Sequence, residues 1–219
     1  TANGFDFFRG ADSCTSTDDP TFNGTAGALT SAEYWSFDGG DFFTYDSANE
    51  TWMSNLHKDN AILSCAAVVW FGSEAGVNNP VFGTNSGSGT GCFFGTNAGN
   101  PQSLRMYVSA AGVQVLSAVH SATISVGAWH MVGVSLDESI GANGGRTYQD
   151  GTAALFTSTY TSPGAGAATN TLQLGALGGS SSPLSNTSRV ALLAMWEGTA
   201  LSTANFDAIW AQIRTRFGL

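Results

Sequence analysis

A period of two, punctuated by glycine, constrains this chain more than any other feature. In "GAWHMVGVSLDESIGANGGRTYQDGTAALFTS", residues 127–158, Trp129, Met131, Gly133 and Ser135 alternate with His130, Val132, Val134 and Leu136. That repeat suits a pleated strand and no helix. Gly141, Asn143, Gly144 and Gly145 offer the positive φ angles of a reversal, and Asp150-Gly151 offers a second tight hairpin turn. The stretch reads as an antiparallel meander, and it holds almost nothing that could do chemistry.

The rest of the chain extends this pattern. "AILSCAAVVWFGS" is a near-continuous apolar run that ends in glycine and reads as a central core strand. "PVFG" and "CFFG" read as two strands joined by an uncharged Gly/Asn loop, and "SLRMYVSAAGVQVLSAVHSATISVGAWHMVGVSLD" as three, broken near Ala111-Gly112 and Val126-Gly127. "TLQLGAL" gives one more. In "YWSFDGGDFF" the run Asp38-Gly39-Gly40-Asp41 is a hairpin signal between short aromatic strands, while residues 1–30 combine a strand candidate, "FDFFRG", with a stretch of loop composition. The period changes only at the end. In "LSTANFDAIWAQIRTRFGL" Phe206, Ile209, Trp210, Ile213 and Phe217 recur at helical spacing, with Ser202 or Thr203 as the N-cap. The helix reads most simply as a lid over one sheet. At 219 residues one β domain accounts for the whole chain, 1–219.

Charge excludes some partners. Charged residues are 11% of the chain and the formal net charge is −9; residues 1–59 carry ten of the sixteen acids against Arg9 and Lys58. Such a chain repels phosphate, so neither nucleic acid nor an anionic membrane surface is an expected partner. No run of about 18 apolar residues occurs, so no membrane insertion is expected, and Thr1 does not open a signal peptide. Cys14, Cys65 and Cys92 cannot all pair; buried thiols are the simpler reading, with a Cys65–Cys92 bridge left open.

The order of elements resembles the laminin G-like, concanavalin A-like jelly rolls over most of the chain. "YWSFDGGDFF" is similar to that family's "FDG-x-D-aromatic" opening, "VGAWHMVGVSLD" to its "W-H-x-V-A-V" strand, "RTYQDG" to its "Y-V-D-G" turn and "NTLQLGAL" to its "L-x-I-G" strand. "SRVALLAMWEGTALSTANFDAIW" resembles its closing strand, bend and short helix. Gln149 stands where the family more often has an aliphatic residue. The resemblance implies an all-β, two-sheet antiparallel jelly-roll sandwich with one short C-terminal helix. Its members include glycan-binding modules, adhesion domains and parts of phage fibres, spikes and capsid decorations.

The residues give little support to catalysis. A glycosidase needs two carboxylates flanking the scissile bond, and none of the sixteen acids lies two residues from another, the spacing that shares a strand face. Carboxylates from separate strands could still converge, so a glycoside hydrolase is kept as a third reading. His57, His120 and His130 lack zinc-ligand spacing, and "GTNSGSGTG" lacks the lysine of a phosphate loop. His130, on a half-buried strand, reads as a hydrogen-bonded structural or surface histidine. Calcium is the one cofactor kept: Asp38, Asp41 and Asp46, with Glu50, could supply hard oxygen ligands, though solvated turn residues explain them as well.

Binding is then the expectation. A glycan site needs accessible aromatic faces beside polar groups. Trp52, with Asn55 and Asp59, is the first candidate; Tyr45 and Tyr107 are weaker ones, while Trp35, Trp70, Trp129, Trp196 and Trp210 sit in core-like patterns. The expected role is a non-catalytic module at a virion surface or outside the cell, recognising a glycan or cell-surface polysaccharide as part of a phage fibre, spike or head-fibre. The alternative is a structural decoration protein that associates with copies of itself or other virion proteins.

Overall fold

The computed structural model describes residues 20–25, 27–44, 51–72, 77–86, 88–99, 102–140, 144–157 and 160–219. The "FDFFRG" strand candidate, Cys14, Gly141, Asn143, Tyr45, Asp46 and Glu50 lie outside them. In chain order the strands are β1 (Thr21–Asn23), β2 (Tyr34–Ser36), β3 (Phe43–Thr44), β4 (Ile62–Trp70), β5 (Asn79–Gly83), β6 (Gly91–Thr96) and β7 (Ser103–Ala110). They continue with β8 (Val113–Thr123), β9 (Trp129–Asp137), β10 (Gly145–Gln149), β11 (Thr152–Leu155), β12 (Gln173–Leu174) and β13 (Arg189–Glu197), and α1 (Thr203–Phe217) closes the chain.

The strands form two antiparallel sheets. One has seven strands in the order β1-β2-β13-β4-β9-β10-β11, the other six in the order β3-β12-β5-β6-β7-β8. Their inner faces make the main core, with Cys65, Ala67 and Val69 of β4 and Val132, Val134 and Leu136 of β9 buried together with Phe94 of β6, Met106 of β7 and Leu116 of β8. This face-to-face arrangement is what period-two alternation on both sheets produces.

The alternation in β9 does not mark a wet face and a dry face. Met131, Gly133 and Ser135 are buried as fully as Val132 and Val134, because α1 covers the outer side. Phe206 of the helix stacks on Tyr148 of β10 at 5.1 Å between centroids, and Ala66, Met131, Tyr148, Leu201 and Phe206 form a second apolar cluster with Trp196, Trp210 and Ile213 at its margin. The helix is well terminated. Ser202 caps its start and exchanges bonds with Asn205, whose N–H donates to Ser202 Oγ at 3.2 Å while Oδ1 accepts the Ser202 N–H at 3.0 Å. Gly218 takes the left-handed conformation at the end, and Arg214 and Arg216 lie in the negative last turn. Ser64 holds the approach to α1: its hydroxyl donates to the Thr199 carbonyl at 2.7 Å and accepts the Leu201 N–H at 2.8 Å.

Three expectations change. Asp38-Gly39-Gly40-Asp41 is not a hairpin turn, because β2 pairs with β1 and β13 in one sheet while β3 pairs with β12 in the other. The segment is a crossing between sheets, anchored by the buried ring of Phe37. Gly145 does not supply a positive φ; it sits within β10, and a Cβ there would lie 2.3 Å from the ring of Phe156. Thr21–Asn23, of loop composition, forms the edge strand β1. By contrast Asp150 and Gly151 take φ of 48° and 88°, as a two-residue hairpin requires. The cysteine choice resolves to thiols: Cys65 and Cys92 are free and buried, in opposite sheets. Burial pushes both thiols up, Cys92 to about 12.

Gly133 is where helix and sheet meet most closely, since an added Cβ would stand 2.4 Å from Cε1 of Phe206. That ring is wholly buried against Tyr148 and has no room to retreat. Gly133→Ala is expected to destabilise the fold by about 1–3 kcal/mol through overpacking, measured by urea denaturation, and Phe206→Leu in the same chain is expected to return part of the loss.

Candidate functional site

The helix packs on Ala66, Met131 and Tyr148 and leaves part of the outer face of the seven-stranded sheet bare. Registers place Thr21 opposite Ser36, Ser36 opposite Arg189, Arg189 opposite Trp70 and Trp70 opposite Trp129. These five residues make one cross-strand row from the sheet edge to its centre. Cys65, Ala67 and Val69 of β4 point inward, so Trp70, one residue on, points outward. The same parity puts Tyr34 and Arg189 outside.

The row is organised by aromatic contacts. Trp129 meets Trp70 at 6.0 Å, Tyr34 at 5.8 Å and Phe217 of α1 at 5.2 Å between centroids. Arg189 places its guanidinium carbon 4.8 Å from the Tyr34 ring and 4.8 Å from the Trp70 ring. Contacts of this kind contribute on the order of 0.5–1 kcal/mol each when partly exposed, enough to hold the head in one orientation.

Beside this array lies a cleft of about 680 Å³ lined by Asn23, Tyr34, Ser36, Asp38, Asn186 and Arg189, with Thr21, Phe37, Asp41 and Thr187 completing its wall. Its floor is the edge of the sheet, and two loops rise from it. They are laced by backbone bonds: the Phe37 N–H donates to the Ser188 carbonyl at 2.9 Å and the Thr187 N–H to the Phe37 carbonyl at 3.0 Å. Gly72 is required beneath them, as a Cβ there would meet the Asn186 carbonyl oxygen at 2.1 Å. On the floor Asn23 Nδ2 donates to Ser36 Oγ at 3.1 Å. The cleft therefore combines one aromatic face, one fixed cation, several neutral hydrogen-bonding groups and the carboxylates of Asp38 and Asp41.

The structure distributes the sequence candidates. Asp38 and Asp41 reach the cleft wall, and both carboxylates are used within their own turn. Asp41 is buried and accepts the Asp38 N–H at 2.9 Å, and Asp38 accepts the Gly40 N–H at 2.8 Å. Among the described residues no group of three or more His, Cys, Asp or Glu could hold a metal ion. Trp52 and Asn55 share the 3-10 turn Thr51–Asn55, half-buried, with Trp52 packed on the main core. Asp59 is exposed and accepts from the Ser162 hydroxyl and the Gly164 N–H. Tyr107 lies on the outer face of the other sheet, stacked on Phe93 at 5.3 Å with Arg105 above it. None of these four lines the cleft. Tyr34, Trp70, Trp129 and Arg189 were not sequence candidates, and the tryptophans read as core because the strand pattern does not show which part of an outer face the helix leaves bare.

His130 is buried at the end of the sandwich. Its Nδ1 lies 2.6 Å from Asp150 Oδ2, its Nε2 3.1 Å from Ser125 Oγ, and Asp150 Oδ1 accepts the Met131 N–H at 2.9 Å. The Ser-His-Asp order invites comparison with a nucleophilic triad. However, the Ser125 carbonyl oxygen, which can only accept, is 3.0 Å from the same Nε2. A lone pair directed at the hydroxyl would face it. The contacts fit a tie between a loop, β9 and the β10–β11 turn better than a proton relay.

No family model matches the chain, and no curated protein matches it in sequence. Solved structures do match in fold. A Trypanosoma rangeli sialidase bound to the inhibitor DANA aligns over 87% of this chain at 12% identity with a TM-score of 0.55. The chain spans only 28% of that sialidase. The native heptameric SAP-like pentraxin of Limulus polyphemus aligns over 90% of this chain and 84% of its own at 14% identity, TM-score 0.52. Domain 4 of a Geobacillus stearothermophilus extracellular arabinanase, in complex with arabinotriose, aligns over 85% and 78% at 16% identity, TM-score 0.51. The fold is a concanavalin A-like jelly roll. At these identities the likeness carries architecture and nothing about a site.

Two other buried histidines make the fold sensitive to acid. His57 Nε2 lies 3.0 Å from the Gly166 carbonyl and His120 Nδ1 2.8 Å from Thr147 Oγ1, while the second nitrogen of each is buried without a partner among the described residues. Burial lowers both below the ordinary histidine value, because protonation would strand a charge and an N–H donor. The unfolded chain then binds more protons than the folded one from about pH 6.5 down to the depressed folded values. Stability is therefore present above pH 6.5 and is lost as pH falls through that window. Urea midpoints measured from pH 7.5 to 5 are expected to fall with pH, and His57→Gln with His120→Gln to flatten the slope.

Proposed function

We propose that this chain is a non-catalytic carbohydrate-binding module whose site is the cleft between β1, β2 and the turn before β13. The supporting observation is the pairing of a pinned aromatic face, Tyr34 held on Arg189, with the amide and hydroxyl groups of Asn23, Ser36 and Asn186 in one concavity. Saccharides need that combination, since their C–H faces pack on rings and their hydroxyls need fixed donors and acceptors. The arabinotriose-bound arabinanase domain, similar in fold, is consistent with such a role. The likeness of "YWSFDGGDFF" and "VGAWHMVGVSLD" to laminin G-like modules extends the proposal to display outside the cell or on a virion, as part of a phage fibre, spike or head-fibre that recognises host polysaccharide.

An assembly role is the second reading, favoured by one feature. A largely apolar groove of about 550 Å³ lies between the sheet edge and the end of α1, lined by Phe22, Leu29, Trp35 and Ala191, with Leu29 71% exposed.

An array of bacterial and plant polysaccharides, probed with the intact chain with and without calcium, tests the proposal. Selective binding is expected, weakened about tenfold or more by Tyr34→Ala and by Asn186→Ala. Loss on Trp52→Ala instead would move the site to the Thr51–Asn55 turn. Silence across the array, together with concentration-dependent association in sedimentation, would favour assembly.

A further inference from the structure

We propose that the cleft is built for an acidic saccharide, with a carboxylate of the sugar bound edge-on by the guanidinium of Arg189; this rests on the carbohydrate-binding reading above. Three arginines among the described residues lie over aromatic rings, and they differ in what their N–H groups do. Arg105, over Tyr107 at 4.6 Å, donates from Nε to Ser117 Oγ at 3.0 Å and from a terminal nitrogen to Gln114 at 3.4 Å. Arg216, over Phe217 at 5.0 Å, donates to the Thr30 carbonyl at 3.1 Å and pairs with Glu33 at 3.1 Å. Their donors are already used in holding the fold.

Arg189, like Arg105 with Tyr107 at 4.6 Å and Phe93 at 5.7 Å, lies over two rings, Tyr34 and Trp70, both at 4.8 Å. Yet among the described residues its guanidinium makes no hydrogen bond and no ion pair, and the residue is only half-buried at the cleft wall. Stacking uses the faces of the guanidinium and leaves its five coplanar N–H donors in the plane. A planar, pinned, unspent fork is a receptor for a planar anion with two oxygens at matching separation, which a carboxylate provides. The competing carboxylates nearby do not fill that place. Asp41 is turned into its own loop and Asp38 accepts from Gly40. The side chain of Asn186 and the side-chain oxygen of Asn23, uncharged, remain for the ring hydroxyls, while the Asn23 amide and the Ser36 hydroxyl already donate to the Thr21 carbonyl.

Calorimetry on the intact chain with matched pairs separates the outcomes: trigalacturonate against its methyl ester, 3′-sialyllactose against lactose, and a sulfated against a desulfated heparan oligosaccharide. At least one carboxylate ligand is expected to bind tenfold or more tightly than its neutral partner. Arg189→Gln should remove that preference, with a loss of about 10- to 100-fold on the acid and a smaller loss on the neutral sugar, whose packing face Tyr34 would no longer be pinned. Arg189→Lys, which keeps the charge and loses the fork, should recover only part, and circular dichroism with a urea midpoint confirms that each variant folds. Neutral sugars bound equally well, and lost on Tyr34→Ala, would overturn the acidic assignment and leave the cleft in place. A preference confined to the sulfated ligand would overturn the carboxylate assignment, and no binding by any member would overturn both readings.

Discussion

Strands β4 and β9 are buried on both faces, and this two-sided burial governs the rest of the molecule. Their inner residues face the six-stranded sheet, which the long apolar run and the alternation supply without further help. Their outer residues include Ala66, Met131 and Gly133, which are small or apolar and would leave a wet hydrophobic strip if nothing lay over them. The chain covers the strip with α1, and Gly133 sets how close α1 can come. A fifteen-residue helix is about 22 Å long and 10 Å wide. Seven strands at roughly 4.8 Å spacing are wider than that. One side of the outer face therefore stays open, and it is the side where β1, β2 and β13 carry polar residues.

The boundary between the covered and open parts is where the aromatic side chains gather. Phe217 of the helix touches Trp129, and contacts run on through Trp70 and Tyr34 to the cleft. The cluster seals the end of the helix and stiffens the wall of the cleft at once. A binding group held by packing before a ligand arrives loses little side-chain freedom on binding, and Arg189 between two rings meets that condition in a way that a free surface arginine does not.

How much of this was legible in the sequence depends on the range of the interaction. The alternation of Trp129–Leu136, the Asp150-Gly151 turn and the Ser202 cap are set by neighbours in the chain, and each appears where the residues placed it. The crossing at 38–41 looks like a hairpin in the sequence because aspartate and glycine favour a reversal whether the flanking strands pair with each other or with distant partners. The site was harder still. Arg189, Trp70 and Tyr34 are brought together by pairing between strands more than thirty residues apart, and no local pattern carries that register. Trp70 and Trp129 fit a core pattern in the sequence and are half-buried in the structure, and the pattern has no means of separating a tryptophan under the helix from one at its margin.

A chain of formal charge −9 is at first sight a poor host for an anionic ligand. The objection weakens with distance. At physiological ionic strength charges more than about 8 Å away are largely screened, so the acid-rich composition acts mainly on encounter and little on contact. Within the cleft the balance is local. The Asp38 and Asp41 carboxylates already accept backbone N–H groups, while Arg189 offers donors that nothing among the described residues accepts. An overall negative field also disfavours nonspecific capture of polyanions such as nucleic acid. An anion would then be held only where its shape fits the fork between Tyr34 and Trp70, and the acidity of the chain contributes selectivity without removing the site.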